Sequence, residues 1–173
     1  YVALVTSMYR KYIDLYYSVG KEKYYVDAKD REMLMDLYNR GGSCEGYYHT
    51  HNGKDMLALK RPNHAGVPAL KVLKTEGKKV IVKAIVDIHK GDVIELPDGK
   101  ETYTFPQSLS KGTQTSFLTY EKQDFKKTNI LNRTRNESLL KWINETIINR
   151  KVVELISGKL ILSVDKPAEL HVF

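Results

Sequence analysis

The sequence predicts an α+β fold: an N-terminal helical hairpin, then a small, mainly antiparallel β-barrel with an inserted helix, and a C-terminal β-meander. A change in hydrophobic period indicates this order, because apolar residues recur at helical spacing up to about residue 40 and alternate with polar residues from Pro68 onward. Two prolines and a glycine within residues 61–68 mark the entry to the first strand. A Lys-Gly-Asp corner at residues 90–92 marks the start of a later strand.

Two amphipathic helices are predicted in the N-terminal hairpin. The first ends near Gly20, and its tyrosine-rich face suits packing against another domain, because the rings can be buried while their hydroxyls stay near water. The second begins with Asp27 as its N-cap, and Gly41-Gly42 is expected to end it. The apolar faces comprise Val2, Val5, Tyr9, Tyr12, Ile13 and Tyr16 in the first helix, and Met33, Leu34, Leu37 and Tyr38 in the second.

The predicted barrel consists of short strands with clear turn signals between them. Glu76-Gly77 joins the first two strands, and residues 97–100, with the sequence Pro-Asp-Gly-Lys, form a hairpin turn between the next two. Short strands at regular spacing favour a barrel or a sandwich. The predicted strands are residues 69–75, 80–86, 92–96, 101–105 and 115–120.

The last third of the chain is predicted as a loop, a helix and a meander. Residues 122–133 are polar and are expected to be mostly loop. Thr134 and Glu137 have the spacing of a capping box ahead of a short helix that carries Trp142. Three strands are expected after it, at residues 152–156, 160–164 and 168–173. We therefore divide the chain into residues 1–60, 61–121 and 122–173, as hairpin and connector, barrel, and loop with helix and meander.

Composition limits the function classes. The 173 residues carry a net charge of +7 that is spread along the chain, so acidic partners are favoured only weakly. A single cysteine excludes an internal disulfide and favours a reducing, cytoplasmic setting. No apolar stretch is long enough to span a membrane, so we expect no membrane partner. The first residue is not methionine and Phe173 lies inside a predicted strand, so we expect the chain to be part of a longer polypeptide.

Candidate chemistry is sparse. His49 and His51 could share a strand face and bind a metal with Cys44 or His64, but surface or turn histidines explain the same spacing. Cys44 could be a nucleophile, but no activating base is evident, and a small residue in a tight helix-to-strand turn is the favoured explanation. We expect no catalytic residue, no metal and no cofactor in this chain.

Aromatic residues mixed with positive charge suggest a different possibility. This mixture is typical of platforms for single-stranded RNA, although tyrosines are also ordinary residues of strands. A looser basic cluster follows in the predicted loop. The first set is Tyr47, Tyr48 and Tyr103 with Lys54, Lys60, Arg61 and Lys71, and the second is Lys122, Lys126, Lys127, Arg133 and Arg135.

The first 96 residues resemble the C-terminal region of the collagenase-like peptidases, family thirty-two of those with unknown catalytic type. The residues that carry the resemblance are Tyr1-Val2-Ala3 with residues 9–14, residues 37–42, Gly46-Tyr47, residues 61–68, and Lys90-Gly91-Asp92 with residues 94–96. The remainder resembles the collagenase-associated domain of unknown function. The resemblance implies an upstream (α/β) barrel that carries the chemistry, and members are labelled proteases, although some relatives hydroxylate RNA.

The resemblance implies a non-catalytic accessory region that positions a protein or peptide substrate for that catalytic barrel. An RNA-binding module of a related RNA-hydroxylating enzyme is the alternative, and a purely structural cap is a third possibility. The expected partners are therefore the upstream barrel of the same polypeptide and a protein, peptide or RNA substrate. The expected contact residues are Tyr47, Arg61, His64, Lys126, Lys127, Arg133 and Arg135.

Overall fold

A computed structural model describes residues 1–42, 46–49, 57–58, 62–125, 128–151 and 153–173. It confirms the predicted α+β class: three α-helices accompany a curled, six-stranded antiparallel sheet that forms a half-barrel. The helices are α1 (Val2–Val19), α2 (Ala28–Leu37) and α3 (Glu137–Ile143).

Helix α2 begins at the predicted residue and ends earlier than predicted. The carboxylate of Asp27 accepts the backbone N–H of Lys29, which confirms the N-cap of α2. The expectation that Gly41-Gly42 ends α2 is wrong, because the backbone is already extended at Tyr38, with φ −164°. The ring of Tyr38 leaves the helix to stack on His64, with centroids 5.4 Å apart. The sequence signal at the glycines marks the turn that follows the helix, where both have positive φ.

The six strands are ordered β4-β3-β6-β1-β2-β5 in the sheet. The pairing of β1 with β2 and of β3 with β4 confirms both predicted hairpins. Inward-facing residues alternate along the strands, as on β2, where Val80, Val82 and Ala84 are buried. The strands are β1 (Val67–Glu76), β2 (Lys79–Ala84), β3 (Val93–Glu95), β4 (Thr102–Thr104), β5 (Gln114–Leu118) and β6 (Ile130–Arg135).

Strand β6 corrects the prediction of a loop over residues 122–133. It lies in the middle of the sheet, paired with β1 on one side and β3 on the other. Its inward-facing residues are Leu131 and Arg133. The alternation was missed because one inward position is occupied by a charged residue, which a hydrophobic pattern scores as exposed. The sheet therefore combines strands from the second and third segments of the chain.

The curl of the sheet brings its two edge strands together over the core. The ring of Tyr103 on β4 stacks on that of Phe117 on β5, with centroids 4.2 Å apart and planes at 19°. Phe105 packs edge-on against both rings. Tyr103 thus belongs to the packing of the half-barrel, which agrees with the interpretation of the tyrosines as ordinary strand residues rather than as an RNA platform.

Helix α3 packs on the helical hairpin. Its N-cap is Asn136, whose side chain accepts the N–H of Leu139 at 2.9 Å, and not the predicted Thr134. The helix continues into a π-helical turn at Asn144–Ile148. Leu139 and Ile143 form a second apolar cluster with Leu4 and Met8 of α1.

The C-terminal meander is reduced to a hairpin. Strands β7 (Gly158–Ile161) and β8 (Glu169–Val172) pair only with each other. Residues 153–157 form no strand, and residue 152 lies outside the described residues. The expected three-stranded meander is therefore wrong in its first strand. A two-stranded sheet of this size has little stability by itself.

Candidate functional site

An open apolar groove of about 800 Å³ lies between α1 and α2. Most of its wall is contributed by α1, and the loop after α1 closes one end. Five of the twelve lining residues are tyrosines, namely Tyr9, Tyr12, Tyr16, Tyr17 and Tyr24. These rings contact one another edge to face, as in the pair Tyr16 and Tyr24 with centroids 5.8 Å apart.

The groove exists because α1 has more apolar surface than the fold covers. Leu4 and Met8 are buried against α2 and α3. Farther round the helix, Tyr9 is 68% exposed, Ile13 43% and Tyr17 82%. These three residues lie four apart, so they form one continuous stripe on the helix surface. An uncovered apolar stripe of this kind is typical of a docking surface.

A polar network lies at one side of the groove. The carboxylate of Asp30 on α2 accepts hydrogen bonds from the Lys11 ammonium and the Tyr12 hydroxyl, both at 2.5 Å. Burial alone would raise the pKa of Asp30, and these hydrogen bonds more than reverse that effect, so its pKa is lowered. The hydrogen bond to Asp30 raises the pKa of Lys11 in turn. The network fixes α1 against α2, since Tyr12 also accepts the N–H of Asp27.

Arg133 is almost completely buried, which corrects its prediction as a substrate or RNA contact. The residue is 6% exposed, and its guanidinium is hydrogen-bonded to Asp36 on α2 at 2.6 and 3.2 Å. It also donates to Asp92 at 3.0 Å. Asn136 donates to the same Asp36 carboxylate. Because this cluster connects α2, β6, the start of β3 and the start of α3, it joins the helices rigidly to the half-barrel.

His64 lies at the junction between α2 and β1. Its Nδ1 lies 2.8 Å from the backbone nitrogen of Asn39 and 3.1 Å from the carbonyl oxygen of the same residue. Within the described residues, Nε2 is buried without a hydrogen-bond partner. The amide of Asn39 donates to the carbonyls of Met35 and Gly66, so the same junction also ends the helix. His64 is half-buried and connects the end of α2 to the segment just before β1.

Of the other predicted contact residues, the structure describes Arg135 and Tyr47. Arg135 is exposed and paired with Glu137 at 2.9 Å. Tyr47 is 61% exposed. Arg61, Lys126 and Lys127 lie outside the described residues, so the structure does not place them. Among the described members of the set, Arg133 is buried, whereas Tyr47 and Arg135 are exposed.

Two further candidates concern metal binding and nucleophilic chemistry. Among the described residues, no group of three or more His, Cys, Asp or Glu side chains is arranged to hold a metal ion. Cys44 and His51 lie outside the described ranges, as do Lys54 and Lys60 of the proposed platform.

The residues that organise this region include three aspartates that the sequence analysis did not select. Asp30, Asp36 and Asp92 are all buried. A signal for the first two was present, because Asp30 lies three residues before Met33 and four before Leu34, and Asp36 lies three after Met33. An acidic residue on the apolar side of a helix indicates a buried partner of opposite charge.

Comparison with known proteins adds no relative: no family model, no curated protein and no solved structure matches the chain. Within the described ranges, no helix has the length and apolar character needed to cross a membrane.

Proposed function

We propose that this chain is a non-catalytic accessory region of a collagenase-like peptidase, which docks on a catalytic barrel and positions a protein or peptide substrate for it. The observation that carries the proposal is the uncovered tyrosine stripe of α1 beside the open groove. Large aromatic side chains each bury about 150–250 Å² when covered, so this stripe offers substantial docking energy to a rigid partner. A cytoplasmic setting is part of the proposal.

The ion-pair cluster around Arg133 supports a positioning role. A docked region can orient substrate only if the docking element and the presenting element move as one body. The bonds from Arg133 to Asp36 and Asp92 provide that connection between the helices and the sheet. A purely structural cap needs the same docking surface, so turnover of substrate, and not docking alone, separates the two possibilities.

The RNA-binding alternative loses part of its predicted support, since Arg133 is buried and the half-buried ring of Tyr103 packs on Phe117. Among the described residues at the predicted positions, it retains the exposed Tyr47, Tyr48, Lys71, Lys122 and Arg135.

A binding experiment tests the docking step. The barrel of the parent polypeptide is expressed separately and titrated with this chain by calorimetry. We expect a complex that the double variant Tyr9→Asp/Tyr17→Asp weakens at least about tenfold. The reason is that two charges would replace two rings that become buried when the barrel binds. Tyr25→Asp is the matched control, because Tyr25 is 67% exposed and lies outside the groove. Equal weakening by the control variant, or no complex at all, would remove the proposal.

A second measurement addresses positioning. The chain alone should cleave no peptide, and the Tyr9→Asp/Tyr17→Asp change in the whole parent should reduce peptide turnover while the barrel stays folded. Unchanged turnover in a parent whose docking is broken would leave only the structural cap.

A further inference from the structure

The C-terminal hairpin of β7 and β8 has one apolar face. Residues directly opposite each other on paired strands point to the same side of the sheet, and successive residues point to opposite sides. Leu160 is opposite Leu170, and Gly158 is opposite Val172, so these four residues share one face. A Cβ added at Gly158 would lie 3.7 Å from Cδ1 of Leu170, which agrees with a shared face. Within β7 and β8, this face carries no polar side chain.

The opposite face of the hairpin is mainly polar. Lys159 is opposite His171, and Ile161 is opposite Glu169. The imidazole Nε2 of His171 lies 3.4 Å from the carboxylate of Glu169, and both side chains are exposed. Charged side chains lose free energy on leaving water unless they find a partner, whereas apolar side chains gain it. The hairpin is therefore amphipathic, and its polar face is the one suited to solvent.

The fold leaves the apolar face uncovered. Residues 153–160 and 162–173 are all exposed. On the apolar face, Leu160 is 60% exposed and Leu170 67%. Leu162, two residues after Leu160, is exposed as well. Since a two-stranded sheet is marginally stable in water without a packed face, this hairpin gains stability from any surface that covers it.

We infer that the same face of a second copy of this chain covers it, so that two hairpins form a four-stranded sandwich of two layers. A two-fold interface brings the same patch of both copies together, so the patch must be complementary to itself. A face with Leu160, Leu170 and Val172 and no charge meets that condition. In the sandwich the layers lie about 10 Å apart, and the faces with Lys159 and His171 remain in water.

The area of the apolar face fits a weak dimer. Burying one Leu, Ile or Val side chain removes about 60–120 Å² of apolar surface from water. Five such side chains in each copy remove about 600–1,200 Å² in the dimer, which is the lower range of specific interfaces. We therefore expect a dissociation constant of about 1–100 µM. The five are Ile156, Leu160, Leu162, Leu170 and Val172.

The groove of α1 and α2 is a second uncovered apolar surface, but it fits the hairpin less well. Its wall includes the hydroxyl-bearing rings of Tyr9, Tyr16 and Tyr17. A buried tyrosine hydroxyl usually finds a hydrogen-bond partner, and the apolar face of the hairpin has no polar side chain to offer one. The two surfaces are separate, so this inference does not rest on the docking proposal.

Sedimentation equilibrium of this whole chain, from about 1 to 300 µM, tests the inference. We expect Leu160→Thr/Leu170→Thr to weaken the dimer at least about tenfold, because four leucines leave the interface while threonine keeps a high strand propensity. Lys159→Thr/His171→Thr is the matched control, because it replaces the directly opposed pair on the other face of the same strands. The control should leave the dissociation constant nearly unchanged.

Two further variants locate the interface. A chain that ends after Asn149 lacks the hairpin and should be monomeric throughout the concentration range, with its cooperative melt retained. Tyr9→Asp/Tyr17→Asp changes the groove and should dimerise like the unchanged chain. The melting temperature of Leu160→Thr/Leu170→Thr at low concentration should match that of the unchanged chain, because the half-barrel does not cover these leucines.

Four outcomes would each overturn the inference. The unchanged chain stays monomeric up to about 300 µM, or Lys159→Thr/His171→Thr weakens the dimer as much as Leu160→Thr/Leu170→Thr does. A dimer that persists after truncation at Asn149 would place the interface outside the hairpin. Loss of the dimer in Tyr9→Asp/Tyr17→Asp would place the groove, and not a second hairpin, at the interface.

Discussion

Arg133 and Asp36 form a buried, doubly hydrogen-bonded ion pair between residues 97 positions apart in the chain. The pair joins β6 at the centre of the sheet to α2 of the helical hairpin. Asp92 occupies the remaining side of the guanidinium at 3.0 Å. One cation therefore satisfies two buried carboxylates, and the orientation of the helices on the half-barrel depends on it.

Replacing the cation should be strongly destabilising. Arg133→Met leaves Asp36 and Asp92 as buried, uncompensated carboxylates, so we expect a loss of about 3–5 kcal/mol in the free energy of unfolding. Urea denaturation followed by circular dichroism measures it. Arg135→Met is the control, because it breaks only an exposed pair with Glu137, and we expect it to change stability by less than about 1 kcal/mol. Comparable losses in the two variants would show that the buried cluster is not the connection described.

A glycine next to this cluster should be intolerant of any side chain. Gly66 has φ +70°, and a Cβ there would lie 2.5 Å from the carbonyl oxygen of Arg133. We expect Gly66→Ala to cost more than about 4 kcal/mol, since backbone must move to admit the methyl group. Gly77 has a similar φ of +62° with open space around it, so Gly77→Ala should cost only the conformational strain of about 1–2 kcal/mol. Thermal melts of both variants separate crowding from strain, and equal costs would contradict the close approach.

The parts of the fold that the sequence predicted are those set by local signals. The N-cap at Asp27 and the two hairpins of the half-barrel follow from capping and turn residues within a few positions of each element. The end of α2 was wrong because the stack of Tyr38 on His64 joins residues 26 positions apart, and no local pattern contains that contact.

The candidate site was predicted less well, for a related reason. Arg133 was assigned to the surface because arginine is usually exposed, whereas here two distant aspartates compensate for its burial. Tyr103 was one residue of a possible RNA platform, but the curl of the sheet brings β4 against β5 and packs its half-buried ring on Phe117. The tyrosine-rich face of α1, by contrast, follows from helical spacing alone and is present as expected.

The network of Asp30 predicts how stability depends on pH. The folded state lowers the pKa of Asp30, so its contribution is present above about pH 4 and is lost as the pH falls through the lower folded-state value. The raised pKa of Lys11 acts in the opposite sense: its contribution is present below about pH 10 and is lost as the pH rises through the folded-state value.

Asp30→Asn should therefore weaken the pH dependence of the free energy of unfolding at both acidic pH (the acid limb) and alkaline pH. Urea denaturation from pH 2.5 to 11 measures this dependence. Part of the acid limb should remain, because backbone hydrogen bonds from Glu101 and Lys100 lower the pKa of Asp98 as well. Glu32→Gln changes an exposed carboxylate on the same helix and should leave the profile unchanged. An unaltered acid limb in Asp30→Asn would contradict the network.

Truncation should reveal how the last third of the chain belongs to the fold. Ending the chain after Glu121 removes β6, so the sheet would separate into β4-β3 and β1-β2-β5, and Asp36 and Asp92 would lose Arg133. We expect this variant not to fold cooperatively. Ending it after Asn149 removes the isolated hairpin of β7 and β8 but keeps the whole half-barrel and α3, so a cooperative melt should persist.

Circular dichroism melts of the two truncations check this difference. A cooperative transition after the shorter truncation would show that β6 is dispensable, and loss of the transition after the longer one would show that the C-terminal hairpin is integral to the fold. Since deletion from Lys122 onward removes the central strand, it cannot distinguish a structural cap from a positioning module. The point substitutions on α1 can do so, because they leave the sheet intact.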